Sequence, residues 1–327
     1  MREPNGPLTT ADDAPATLRI LAITPCHNDG WALDGLASAL TGQRLQPLDW
    51  MIVDDASTDD TPTAVDRIRN TVPFASTLRR DRPPGRRIGE KAHAVNAGYE
   101  LMRGRREYDA VAVLDADVLI PDDYFEQVAS ALASTPELGV CGGVYVEPGA
   151  PRQRTGRAAG AHVPGPAQVF RRIVFDAVGG YSPLPFGGDD VESVTRARLL
   201  GWQTAALRSV SYSHRRRMGT GGHGSPLRAD FNLGRQDHDL GTLPLFEVVK
   251  LLRHTTRRPF VLAGVARLAG FVEASVRRRP RSVDDDYVSF ARREQRERLA
   301  APIRRTAGVV RTMPTRLLGP TGADRGA

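Results

Sequence analysis

Three acidic groups have the types and spacing to do chemistry together. Asp54 and Asp55 follow the apolar run Trp50–Val53, and Asp115 and Asp117 follow Ala110–Leu114. Asp189, Asp190 and Glu192 follow the pair Gly187 and Gly188. Carboxylates at neighbouring strand ends repel one another unless a cation or a donor-rich ligand lies between them. A divalent metal carrying a nucleoside diphosphate meets that need, because Mg2+ takes one or two carboxylates and fills its shell with phosphate oxygens and water. The strand followed by Asp-x-Asp is the most specific of the three signals. Asp190, with Asp189 beside it, could take a proton from an acceptor hydroxyl. The same acids would equally suit the positive end of a helix dipole. Asp59, Asp122 and Asp123 read as turn and cap residues.

These carboxylates need strand ends to hold them. Leu18–Thr24, Trp50–Val53 and Ala110–Leu114 are short apolar runs without alternation, as expected of strands buried on both faces. Helical spacing follows each: Leu33, Leu36, Ala37 and Leu40, a helix opened by Thr61 and Pro62, then Ala94, Val95, Gly98, Leu101 and Met102. Phe125, Val128, Ala129 and Leu132 add another, and Val191–Leu200 one more. Alternation of this kind predicts an α/β fold with a mostly parallel sheet flanked by helices. In such sheets ligands bind outside the carboxyl ends of the strands. Glu147–Pro166 and Arg215–Gly224 read as loops.

Taken in order, the motifs resemble family 2 glycosyltransferases of the GT-A, Rossmann-like fold, of the bacterial cell-envelope or exopolysaccharide type. The resemblance runs from about Leu18 to Arg216. It rests on Ile23–Asn28 (ITPCHN), Val53–Asp59 (VDDASTD), Gly89–Gly98 (GEKAHAVNAG), Leu114–Asp117 (LDAD), Gly179–Glu192 with its GGDDVE ending, and Gly201 with Trp202. It implies transfer of a sugar from a UDP-, GDP- or dTDP-linked donor to a hydroxyl of a glycan or lipid-linked saccharide. Pro25, Asp54 and Asp55 would line the nucleoside pocket, with Lys91, His93 and Asn96 approaching the nucleotide and its phosphates. Asp115 would contact the nucleotide, and Asp117 would hold Mg2+ or Mn2+. Asp190 would be the general base, with Asp189 standing where the family has Glu. His214 matches a late His that completes the metal site in related enzymes, although a lone His is also an ordinary structural residue. Direct attack with a single base implies inversion at the anomeric carbon.

The chain has 327 residues, 45 Lys and Arg against 38 Asp and Glu, and a pI near 9.9. Only Lys91 and Lys250 are lysines, so much of the basicity is Arg usage of the kind GC-rich coding produces. Residues 246–327 hold 18 basic and 8 acidic side chains, while the rest holds 27 and 30, so the surplus is local. We expect a flexible tail at 1–17, a catalytic domain at 18–245, a basic amphipathic helical extension at 246–306 and a flexible tail at 307–327. Apolar stretches beside Arg277–Arg281 suit a helix lying on an anionic membrane surface. A solvated basic face of a packed extension fits the same residues. The N-terminus lacks the apolar core of a signal peptide, and no uncharged apolar run reaches the length of a span. With two cysteines and no disulfide framework, a cytoplasmic setting is expected, at most peripheral at the inner face of the membrane.

Nucleic-acid binding lacks interleaved aromatics and any motif. Two rivals stay closer: a sugar-1-phosphate nucleotidyltransferase, which also pairs Asp with a metal, and a non-catalytic nucleotide-sugar binder. The first would show a Gly/Arg/Lys-rich loop where this chain has Pro25–Asn28. The second would not need both Asp-x-Asp and Asp189–Asp190.

Overall fold

The computed structural model describes residues 18–82, 88–146, 161–216, 225–254 and 260–311. The expected N-terminal tail, residues 147–160 and 217–224 of the two expected loops, and everything after 311 lie outside the described residues.

The chain divides into two compact units, up to Asn232 and from Leu233. In the first, β1 (Ile20–Cys26), α1 (Gly30–Thr41), β2 (Asp49–Asp55), α2 (Thr61–Thr71), β3 (Ala75–Arg80), α3 (Glu90–Met102) and β4 (Ala110–Leu114) alternate as expected. Then come β5 (Val118–Leu119), α4 (Tyr124–Ser134), β6 (Leu138–Val146), β7 (Ala167–Arg171), α5 (Arg172–Val178), α6 (Asp189–Leu199) and β8 (Gln203–His214). One eight-stranded sheet runs β3-β2-β1-β4-β7-β6-β8-β5.

Strands β1 to β4 pair in parallel, as the sequence predicts. Beyond β4 the sheet is mixed: β7 is antiparallel to β4 and β6, β6 is parallel to β8, and β5 is antiparallel to β8. The apolar runs are continuous because both faces of the parallel half are covered. Ile20, Ala22, Trp50 and Ile52 meet α1, α2 and α4 in one core, while Leu21, Ile23, Met51 and Val53 meet α3, α5 and α6 in the other. Trp202 packs against the second core.

Helix α6 begins at Asp189, two residues ahead of its expected start at Val191. Its N-cap, Gly188, has φ 93° and follows Gly187 at φ 79°, a left-handed pair that side chains with a Cβ rarely adopt. Asp189 and Asp190 are thereby the first two residues of a helix rather than part of a loop.

The second unit is helical in its described residues. It takes the end of α7 (Pro226–Asp239), then α8 (Pro244–His254), α9 (Phe260–Val276) and α10 (Asp285–Arg311). The last helix carries on past residue 306, where the sequence suggests a tail. No helix among the described residues is long and apolar enough to cross a membrane.

Candidate active site

The carboxyl ends of β1, β2 and β4 lie side by side, with Cys26 in register with Asp54. Asp115 continues from β4, and its N–H is held by the Pro166 carbonyl at 2.9 Å. Lys91, on the first turn of α3, donates from Nζ to Asp115 Oδ1 at 2.6 Å. Asp117 sits one turn on, and β5 then pairs with β8 so that Val118 faces His214. This pairing brings His214 Nε2 to 3.3 Å from Asp117 Oδ1. One ligand atom each from Asp115, Asp117 and His214 lie within 4.8 Å of one another. Two carboxylates and an imidazole make a donor set that suits Mg2+ or Mn2+.

Burial raises the Asp115 carboxyl above its usual range, with Lys91 opposing. Burial also pushes at Asp117, but His214 and then Arg216 outweigh it and hold that carboxyl low. His214 moves the other way: burial lowers it, and Asp117 more than compensates, so the imidazole is raised. Arg216 spans two loops, pairing with Asp29 at 2.6 Å and reaching 3.5 Å from Asp117. The Arg215 and Arg216 guanidinium carbons lie 4.8 and 5.4 Å from the ring centroid of Trp31, which is half exposed.

Asp189 and Asp190 join this cluster through Lys91 and a loop. The Lys91 ammonium is raised well above its ordinary value because Asp115, Asp189 and Asp190 together outweigh its burial. Asp189 is buried, and its Oδ2 has no hydrogen-bond partner among the described residues. Burial pushes its carboxyl far up, Lys91 opposes, and the neighbouring Asp190 adds to the rise. Asp190 stays half-buried, pressed against Gly165, where a Cβ would lie 2.0 Å from Asp190 Oδ2. Gln168 Nε2 donates to the Val163 carbonyl at 3.0 Å and the Asp190 carbonyl at 3.3 Å, tying that loop to α6. Glu192 is buried and held by Ser182 and Arg196, a fully paired structural carboxylate.

Asp54 and Asp55 are at the site's edge with cations already on them. Parallel register sets Arg79 opposite Asp54 and Arg80 opposite Asp55. Arg79 binds Asp54 Oδ2, while Arg80 and Arg82 bind Asp55 at 2.5 and 2.6 Å. The loops after β1 and β2 are cross-tied: Asn28 N–H donates to Ser57 Oγ at 3.0 Å, and Thr58 N–H to Asn28 Oδ1 at 2.8 Å. Asn28 and Ala56 both hold positive φ, 58° and 53°. Strain of this kind persists only where surroundings over-determine it, commonly at functional sites.

The remaining predicted residues divide. Pro25 lies within β1, half-buried and in register with Val53. His93 is exposed on the first turn of α3, near Lys91 in sequence. Asn96 is placed otherwise than expected: both ends of its amide hold Tyr181 backbone, Nδ2 to the carbonyl at 2.8 Å and Oδ1 from the N–H at 3.0 Å. It braces the turn before α6, with one hydrogen bond at each amide atom. Sequence reasoning missed Arg79, Arg80, Arg82 and Trp31. Arg79 and Arg80 could have been found by aligning the β2 carboxylates with a third parallel strand.

A Rossmann-like sheet with Asp-x-Asp after a central strand, and an acidic pair opening a helix beside it, defines a GT-A glycosyltransferase. Residues 21–182 match the model of glycosyl transferase family 2, and the unit that contains them belongs to that family. A beta-monoglucosyldiacylglycerol synthase from Synechocystis sp. is 27% identical over 175 residues, 48% of this chain and 35% of that protein. The match thus spans about a third of that relative's length. Among solved structures, the mannosyltransferase PcManGT from Pyrobaculum calidifontis, in complex with GDP-Man and Mn2+, aligns with TM-score 0.57 at 21% identity. That alignment covers 90% of this chain and 84% of the other. TarS 1–349 of S. aureus, in complex with UDP-GlcNAc, aligns with TM-score 0.52 at 15% identity over 78% of this chain and 72% of that one. At these identities the likeness is one of fold.

Proposed function

We propose that this protein moves a sugar from a nucleoside-diphosphate donor to a hydroxyl of a glycan or lipid-linked saccharide, with divalent-cation dependence and inversion. The observation that carries the proposal is the convergence of Asp115, Asp117 and His214 within 4.8 Å. Asp117 and His214 would hold Mg2+ or Mn2+, and Asp115, steadied by Lys91, would face the nucleotide. A bound cation would offset the charge on the departing diphosphate. Solved glycosyltransferases of like fold were crystallised with GDP-Man and Mn2+ or with UDP-GlcNAc, which fits this assignment.

Asp190 accepts the acceptor's proton. Burial drives Asp189 toward its neutral form, and the more accessible Asp190 beside it is the one that can reach an acceptor hydroxyl. With Asp190 as the single base, direct attack would invert the anomeric centre. Pro25, Asp54 and Asp55 border the nucleoside, the two acids sharing any ligand donor with their arginines. His93 and Arg215 stand where they could meet the diphosphate. The unit works in cell-envelope polysaccharide synthesis at the inner face of the membrane, the basic C-terminal residues resting on anionic lipid.

Donor turnover tests the reading. Release of UDP or GDP from the cognate nucleotide-sugar should require Mn2+ or Mg2+, and Asp190→Asn should slow transfer by about 10²–10⁴-fold. Pyrophosphate release from a nucleoside triphosphate, with no turnover of any nucleotide-sugar, would sink it in favour of a nucleotidyltransferase. A thermal-shift screen of UDP, GDP and dTDP with Mn2+ identifies the nucleobase, since bound ligand stabilises according to its affinity.

A further inference from the structure

The unit from Leu233 onward holds an open pocket of about 500 Å3 lined by His238, Arg278, Arg279 and Arg281, with Ser275 and Asp285 beside them. Three arginines thus line the pocket against one acidic residue. The nearby acid does not correct the imbalance. Glu273 is shared by Arg235, Arg277 and Arg279 at 2.9, 3.0 and 3.1 Å. Arg281 Nε donates to the His238 carbonyl at 3.3 Å rather than to an acid. Asp239 takes the Ser282 N–H at 2.8 Å on one oxygen, and its other oxygen is buried without a hydrogen bond among the described residues.

Two polar groups at the pocket lack protein partners. Arg279 Nε is buried with no hydrogen-bond acceptor among the described residues. The His238 side chain belongs to a residue only 7% exposed, lines the pocket, and has an edge contact with Phe271 as its packing partner. Among the described residues no hydrogen bond reaches its ring. Burial lowers its imidazole, and Arg281, Arg279 and Arg292 lower it further against Asp239. Arg292 is itself lowered by burial and by Arg281 and Arg296, cations crowding cations.

The backbone adds an independent sign. Helix α9 ends with the Arg279 N–H on the Ala274 carbonyl at 3.1 Å, which leaves Arg278 in the left-handed position with φ 48°. Glycine is the usual occupant of that position. Here a long cation occupies it and lines the pocket instead.

We propose that this pocket binds a phosphate group, with Arg278, Arg279 and Arg281 donating charge-assisted hydrogen bonds and His238 at its base. Guanidinium forks suit the several oxygens of a phosphate, and three arginines line this pocket. The volume leaves room for whatever carries the phosphate, a soluble phosphoester or a lipid headgroup. This site is independent of the catalytic reading.

The test uses the full chain in metal-free, EDTA-containing buffer, so that no cation at Asp117 can collect the anion. Inorganic phosphate should raise the melting temperature in a saturable way that chloride at matched ionic strength does not reproduce. Arg281→Ala should weaken phosphate binding at least tenfold by calorimetry. Arg278→Gly should weaken it several-fold while raising the melting temperature without phosphate, because glycine relieves the positive φ. Those opposite signs separate binding from folding and keep the test valid if Arg281→Ala folds poorly. Phosphatidylglycerol–phosphatidylcholine vesicles that bind wild type, release it to phosphate and fail to bind Arg278→Gly assign the phosphate to a lipid. Phosphate binding without vesicle binding assigns it to a soluble ligand. No phosphate effect on wild type, an equal effect of chloride, or full phosphate binding by Arg278→Gly would overturn the proposal.

Discussion

The two units handle buried charge in opposite ways. In the second, α7, α8 and α9 bury Asp237 and Glu247 against Lys250 and Arg267, with Lys250 at 2.5 Å and Arg267 at 2.5 Å from Asp237. The same two cations reach Glu247 at 3.3 and 3.2 Å. Two acids meet two bases, each acid within ion-pair distance of both cations, although Glu247 Oε2 accepts no hydrogen bond among the described residues. In the sheet unit Asp115, Asp189 and Asp190 all act on the one ammonium of Lys91, and one Asp189 oxygen is left without a partner among the described residues. Desolvating a charge is costly unless it is paired. A network with as many cations as acids holds structure, whereas an open one, short of cations, keeps capacity for a ligand.

Breaking the charge-balanced network should have the largest effect on folding. Asp237→Ala removes the acid 2.5 Å from both Lys250 and Arg267, leaves two buried cations to one acid, and should cost about 3–5 kcal/mol in denaturant unfolding. Nucleotide affinity, corrected for the folded fraction, should stay the same; a parallel loss would erase the contrast between the units. The open network should respond in ligand binding instead. Asp117→Asn should weaken Mn2+ binding in the presence of nucleoside diphosphate by about 10–100-fold by calorimetry, with little change in melting temperature.

A smaller effect should come from Gly165→Ala, whose new Cβ must displace the Asp190 carboxylate. We expect kcat to fall about tenfold or more, with donor binding retained, because displacement of about an ångström costs on that order. Unchanged kcat would mean Asp190 need not stand where it does. The smallest effect is on acid stability. Arg235 and Arg279 hold the Glu273 carboxyl down to about 2 from 4.5. A depressed carboxyl contributes stability that is present above its ordinary pKa and lost as pH falls toward the folded value. Glu273→Gln should flatten the fall in melting temperature between about pH 4.5 and 2.

Much of the parallel half was legible because burial on both faces writes itself as unbroken apolar runs at β1, β2 and β4. The rest was hidden for physical reasons. Strand β3, Ala75–Arg80, is a half-exposed edge with two arginines and carries no apolar signature. Strand β6 contains Gly142 and Gly143, where a Cβ would run into the Ala167 and Val210 carbonyls at 2.3 and 2.8 Å. Those glycines look like loop until the neighbouring strands are placed.

Residue type and local spacing determined which side chains carry chemistry, Asp115 and Asp117 after one strand and Asp189 and Asp190 after a glycine pair. They also determined that the basic surplus lies at the C-terminal end. Tertiary structure decided which of those groups meet. His214 joins Asp117 only through the β5–β8 register, and Asn96 is spent on Tyr181 because α3 passes that turn. Asp54 and Asp55 are neutralised by arginines that only strand pairing sets opposite them. Composition and periodicity act along the chain, whereas ligand sets and pKa shifts depend on distances across it.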